Sequence, residues 1–217
     1  MNAKLTNFLV VAACTLCCGQ VWAGTTITFE GLQNFEQIDN YYDGGMGSLG
    51  SGPGPDYGIT FSPFALAYMR GVQSGAPNPF PGDPSPPTVL LVFKTGNPIN
   101  GGQPESVTMD VSRGFTQGIS FYDIAFLREG LVTVYSGLDD TGAVLASLVL
   151  PMTPEAFGNA TTLTFDGIAR SVEFTGGNDQ MALDNITLFA PVPEPAAWIS
   201  LSVGLASAYG FFARRQR

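Results

Sequence analysis

The chain has 217 residues, 18 Asp and Glu against nine Lys and Arg, no histidine and three cysteines, for a formal net charge of −9. Without histidine there is no Ser-His-Asp triad, no Cys-His pair and no His-bound zinc. An acidic surface lacks the basic face that phosphate binding requires, which argues against a nucleic-acid partner.

Residues 1–23 read as a secretory signal peptide. Lys4 precedes an apolar run from Phe8 to Cys18, and Val21-Trp22-Ala23 places small residues at the −3 and −1 positions before Gly24. A lipoprotein signal is the competing reading, but Thr15-Leu16 stands before the cysteines. Cys14, Cys17 and Cys18 all lie in this segment, so the mature chain is expected to carry no thiol and no disulfide. Without Lys4 and three tail arginines five basic residues remain, and without Glu194 17 acidic ones, a balance of about −12 for the domain 24–191.

That domain reads as all-β. Candidate strands are Thr25 to Glu30, Ile59 to Ser62, Phe64 to Arg70, Thr88 to Phe93, Ser106 to Val111 and Gly118 to Ile124. Leu131 to Tyr135, Val144 to Leu150, Thr161 to Phe165, Ser171 to Thr175 and Met181 to Phe189 follow. They are short, rich in Val, Ile, Thr, Phe and Tyr, and separated by Gly, Pro, Asn and Asp. This pattern predicts an antiparallel β-sandwich of jelly-roll type, with a closed barrel as the alternative. Tyr41 to Gly58 and Gly71 to Pro87 are long loops rich in Gly and Pro.

Two short motifs have plain explanations. Gly45-Met46-Gly47-Ser48-Leu49-Gly50 has dinucleotide-fingerprint spacing, but Gly52-Pro53-Gly54-Pro55 follows and no helix can start there. Asp140-Thr141-Gly142 spells the aspartic-protease triplet, yet it joins two apolar strands and reads as a hairpin turn, as does Gly176-Gly177-Asn178-Asp179. Tyr41, Tyr42, Tyr57, Phe64, Tyr68 and Phe80 lie in or beside the long loops. Tyr41, Tyr42 and Tyr57 are candidate sugar-stacking rings, and the competing reading has them cover the ends of the sandwich.

Asp184 is the strongest site candidate. Strand alternation puts it on one face with Ala182, Ile186 and Leu188, an apolar setting in which a carboxylate needs a cation or several donors. With few Lys and Arg to hand, Ca²⁺ suits it, since that ion takes about 6–8 oxygen ligands. The alternative is a carboxylate that accepts hydrogen bonds from turn amides and ties two loops together. Ala182-Leu183-Asp184-Asn185-Ile186 near the end and Thr28-Phe29-Glu30-Gly31 near the start resemble the calcium-binding pair of jelly-roll carbohydrate-binding modules. The resemblance implies neighbouring first and last strands and a structural Ca²⁺ between Glu30 and Asp184, with Asn40, Tyr41 or Asp43 adding oxygens.

The tail 192–217 has three parts: Val192-Pro193-Glu194-Pro195, an uncharged run from Ala196 to Ala213, and Arg214-Arg215-Gln216-Arg217. Eighteen residues at about 1.5 Å each span roughly 27 Å, close to the hydrocarbon thickness of a bilayer. A transmembrane helix over 196–213 is expected, with the arginines on the cytoplasmic side. This arrangement resembles the PEP-CTERM sorting signal of Gram-negative bacteria. The resemblance implies export through the inner membrane and anchoring by the tail helix. It further implies exosortase as a partner that cuts near Pro193–Pro195, and delivery to the cell surface or matrix alongside exopolysaccharide and biofilm. The expected function is therefore a non-enzymatic envelope or extracellular-matrix protein whose domain is structural or binds polysaccharide. The rival is a secreted glycoside hydrolase that uses carboxylates.

Overall fold

The computed structural model describes residues 24–72, 75, 77–92, 106–126, 128–153, 156–176 and 181–191. The signal-peptide segment 1–23, the sorting tail 192–217 and most of the Gly176–Asp179 turn lie outside the described residues. Among the described residues no helix is long and apolar enough to cross a membrane.

Among the described residues ten strands form the fold: β1 (Thr25–Ile27), β2 (Glu36–Gln37), β3 (Ile59–Phe61), β4 (Ala65–Met69), β5 (Thr88–Val92), β6 (Ser106–Ala125), β7 (Gly130–Tyr135), β8 (Val144–Leu150), β9 (Thr161–Gly176) and β10 (Met181–Pro191). All pairings are antiparallel, in the order β2-β4-β5-β10-β6-β9-β7-β8, with β1 on β10 and β3 on β6. The first and last strands are neighbours, with Ile27 opposite Ile186.

Four expected strands are two long ones. Ser106–Val111 and Gly118–Ile124 are the halves of β6, and Thr161–Phe165 and Ser171–Thr175 are the halves of β9. Glycine and turn residues between them read as breaks, but here they bend a continuous strand. Gly114, at φ +74°, sits where the β6–β9 register shifts, and a Cβ there would come within 2.7 Å of Ile168. The bend folds the sheet back on itself. Phe121, in one half, meets Phe174, in the other, edge to face at 5.9 Å, and Phe29 meets Phe61 at 6.1 Å. Ile27, Met109, Phe115, Val132 and Leu183 fill the same core.

A second, smaller cluster lies on the outer face of β5 and β10. It contains Val89, Leu91, Ile124 and Ala182, covered by Phe80 and Phe157. β5 is buried along all five residues because it touches both clusters. The segment around Phe80 is thus a lid on the sheet, held by packing: Phe80 meets Phe157 edge to face at 6.0 Å, and the Arg70 guanidinium lies 5.3 Å from the Phe80 ring centre.

β2 has no counterpart among the expected strands. Two residues give no periodicity to read. It is set by Glu36, which is buried and whose carboxylate accepts backbone N–H groups from Gln33 (2.6 Å), Leu49 (2.9 Å) and Ser51 (3.0 Å). Those hydrogen bonds hold Glu36 ionised, lowering its pKa below the ordinary 4.5 against the opposing effect of burial. The glycine-rich stretch after Tyr42 is therefore wrapped around a carboxylate. A Cβ at Gly47 would stand 2.5 Å from Glu36 Oε1, which explains a glycine there without any nucleotide.

Candidate functional site

Asp184 is fully buried, as its sequence setting implies, and shares a face with Ala182, but Ile186 and Leu188 lie on the opposite face from the one alternation gives. Asn185, at φ +46°, carries a bulge between Asp184 and Thr187. The extra residue shifts the phase. Leu183, Ile186 and Leu188 face the main core, while Asp184 follows Ala182 onto the outer cluster, beneath the segment that carries Phe80.

That segment supplies its partners. Ser85 donates its backbone N–H to Asp184 Oδ2 at 3.1 Å, with its hydroxyl at 2.7 Å, and Asn185 donates its N–H to Oδ1 at 2.7 Å. The second sequence reading, a carboxylate accepting turn amides and tying two loops, is met by these bonds. Burial raises the Asp184 carboxyl to about 8, and the neighbouring Asp83 adds to this while the Ser85 hydrogen bond opposes it. Asp83 is itself raised by burial, and its Oδ2 is enclosed without a partner.

Glu30 approaches the same place from the end of β1. It is half-buried, raised first by burial and also by the charge of Asp83, and its Oε1 accepts the Thr88 N–H at 2.9 Å. The buried Thr88 hydroxyl also lies near the Glu30 carboxylate and opposes the rise. Asp83 was not legible as a site residue because the loop that brings it has no pattern, and Thr88 reads only as the first residue of a strand. Of the other expected oxygen donors, Tyr41 donates its hydroxyl to the Glu30 carbonyl at 3.4 Å, Asp43 is exposed, and Asn40 lines a different cleft. Among the described residues no group of three or more acidic side chains closes on a common metal position. An ion here would draw on no more than two of Glu30, Asp83 and Asp184, completed by hydroxyl, backbone or water oxygens.

The candidate stacking rings are mostly internal. Tyr41 and Tyr42 lie in the main core, and Tyr42 accepts the Phe29 N–H on its hydroxyl at 2.8 Å. Burial pushes the Tyr42 phenol far above its ordinary value. Tyr57, 39% exposed, stacks on Tyr42 with an interplanar angle of 11°. Phe80 is buried, and Phe64 and Tyr68 pack against the two clusters.

The Asp140-Thr141-Gly142 motif is a hairpin turn between β7 and β8, with Asp139, Asp140 and Gly142 all at positive φ. The turn leans back onto the sheet. Asp139 donates its N–H to Asp110 at 2.8 Å, Asp140 donates its N–H to the Ser171 hydroxyl at 3.1 Å, and Thr108 donates its hydroxyl to Asp140. Asp110, Asp139, Asp140 and Thr108, together with Asn40, Thr60 and Ser62, line a cleft of about 480 Å³. Asp110 and Asp140 are both raised, first by burial and then by neighbouring acids, and Asp140 Oδ1 is enclosed without a partner. Sequence reading missed this cleft because its residues come from four separate segments.

No protein-family model matches the chain, and no curated protein matches it. Among solved structures it is similar to a variant of a family 29 carbohydrate-binding module, at 11% identity over 76% of this chain and 91% of that one, with a TM-score of 0.40. It is similar to a Podospora anserina GH26-CBM35 β-(1,4)-mannanase at 13% identity over 64% of this chain and 29% of that one, TM-score 0.31. A third is an Arthrobacter globiformis isomalto-dextranase complexed with panose, at 19% identity over 77% of this chain and 32% of that one, TM-score 0.33. Overlaps this partial say nothing of ligand or activity.

Proposed function

We propose that the chain is an exported, non-catalytic envelope or matrix protein. Its jelly-roll domain binds polysaccharide, and its tail is an exosortase-processed PEP-CTERM sorting signal. The address rests on the order Pro193-Glu194-Pro195, uncharged span and arginine end. The binding reading is carried by the Asp140 cleft. Asn40, Thr60, Ser62, Thr108 and the aspartates offer amide, hydroxyl and carboxylate groups in one concavity, the chemistry that pairs with sugar hydroxyls. Glycan-array binding of the soluble domain tests this, and binding unchanged in Asp140→Asn would remove the cleft from the reading. In the native host, C-terminal mass spectrometry of the delivered chain should end near Pro193–Pro195. An intact Arg217 would end the processing reading.

Calcium between β1 and β10 belongs to the same proposal, as a structural ion. Its support is the enclosed, unpartnered oxygen of Asp83 beside buried Asp184. A carboxylate-dependent glycoside hydrolase is the second reading, because Asp110 and Asp140 share a cleft and both have raised pKa values. New reducing ends released from polysaccharide by wild type but not by Asp140→Asn would favour it.

A further inference from the structure

We infer that β8 is a self-association edge, on which a second copy of this chain adds antiparallel to form a two-fold dimer. β8 is the last strand in the sheet order, and among the described residues no strand pairs with its outer side. Edges of this kind are usually blunted by lysine, proline or an inward charge. None stands within Val144-Leu145-Ala146-Ser147-Leu148-Val149-Leu150, and the next residue, Pro151, falls outside the strand. Its one irregularity lies at the turn end, between Val144 and Ala146.

The surroundings are apolar. Val144 (58% exposed), Val149 (54%) and Met152 (57%) are on or just past the strand, and Leu131, paired with Val149, and Leu138 are exposed beside them. These five belong to one hairpin and its exit. Residues 130–153 hold only two charges, Asp139 and Asp140, both at the turn. The chain carries −9 overall, so a second copy is repelled by most of its surface and least along this edge.

The strand is also complementary to itself. With a two-fold axis at Ser147, Ala146 faces Leu148 on the core side, and the bulge at Leu145 ends the regular register before Val144. Every cross-strand pair is apolar except the serine on the axis, and no like charges meet. An isologous contact of this kind closes after two copies.

The test is thiol cross-linking of the full chain in detergent with Cys14, Cys17 and Cys18 replaced by serine. Ser147→Cys, on the axis, should form a disulfide-linked dimer under mild oxidation. Val144→Cys, off the axis and beyond the bulge, should not. Ser147→Lys should shift the oligomer to monomer in light scattering while circular dichroism retains the β spectrum. A monomeric wild type overturns the inference. So does a dimer that survives Ser147→Lys, which would place the contact elsewhere. A thiol introduced by Ser147→Cys that resists labelling in the monomer also overturns it, since the chain would then cover its own edge. None of these outcomes depends on glycan binding.

Discussion

Ser85 and Asp184 are 99 positions apart in sequence, yet the Ser85 hydroxyl stands 2.7 Å from Asp184 Oδ2 and 2.8 Å from Asn185 Oδ1. This contact fastens the segment carrying Asp83 and Ser85 over the outer face of β10. It also sets the electrostatics. Two carboxyls, Asp83 and Asp184, lie side by side, and burial raises both. Two such groups do not both ionise unaided, so either a proton or a cation must supply the missing charge.

The proton alternative has a definite pH signature. In the unfolded chain Asp184 titrates near its ordinary 3.8, and in the folded chain near 8. Below the lower value both states are protonated and its full contribution is present. As pH rises towards 8 the unfolded state ionises freely while the folded state resists, so stability falls. Melts in EDTA should therefore show the melting temperature dropping between about pH 5 and 8, with the slope reduced in Asp184→Asn. A flat wild-type profile in that window would contradict the assignment.

The cation alternative runs with the opposite sign. Ca²⁺ needs the ionised carboxylates, so its stabilisation should be larger at pH 8 than at pH 5, about 2.7 kcal/mol at a hundredfold excess over Kd. The shift should vanish in Asp184→Ala and shrink in Asp83→Asn. No shift in wild type at either pH removes calcium from the domain.

Much of the fold was open to reading because the strands are rich in β-branched and aromatic residues and are set off by turns. β8 falls where its composition puts it. The site was less open. Asp184 stood out as a carboxylate among apolar residues and does share a face with Ala182, but Ile186 and Leu188 do not join them, because a single positive-φ residue, Asn185, reverses the phase of the strand beyond it. Asp83, Asp110 and Asp140 gain meaning only through contacts made across long stretches of chain, and such contacts leave no periodic trace. Tyr41 and Tyr42 sat in a segment without core periodicity, yet they are core residues, because Glu36 and not a strand pattern pins that segment in place.

Glu36 yields the third prediction. Glu36→Ala removes the acceptor of three N–H groups around a buried carboxylate, those of Gln33, Leu49 and Ser51. The donors sit on part-exposed residues that water can reach once the carboxylate is gone, so the loss should be about 1–3 kcal/mol by denaturant unfolding. Glu36→Gln keeps one acceptor oxygen and should lose less. Because its pKa is lowered, the contribution of Glu36 is present above 4.5 and is lost as pH falls below that value, opposite to Asp184.

The last prediction concerns Tyr42→Phe, which deletes one oxygen. That oxygen accepts the N–H of Phe29, a residue held at φ +62° directly before Glu30. A non-glycine residue at positive φ is strained unless its surroundings fix it, and here the Tyr42 hydroxyl and the Phe29–Phe61 ring contact do so. Phenylalanine preserves the edge contacts of the ring with Phe29 and Tyr41 and its stack on Tyr57, so the packing is retained. What is lost is the partner of a buried donor, about 1–3 kcal/mol. The consequence should extend to the neighbouring site. With Phe29 released, Glu30 loses its fixed approach to Thr88, and amide exchange at Thr88 should accelerate relative to β6. Unchanged exchange at Thr88 in a destabilised Tyr42→Phe protein would show that Glu30 is positioned independently of the β1 turn.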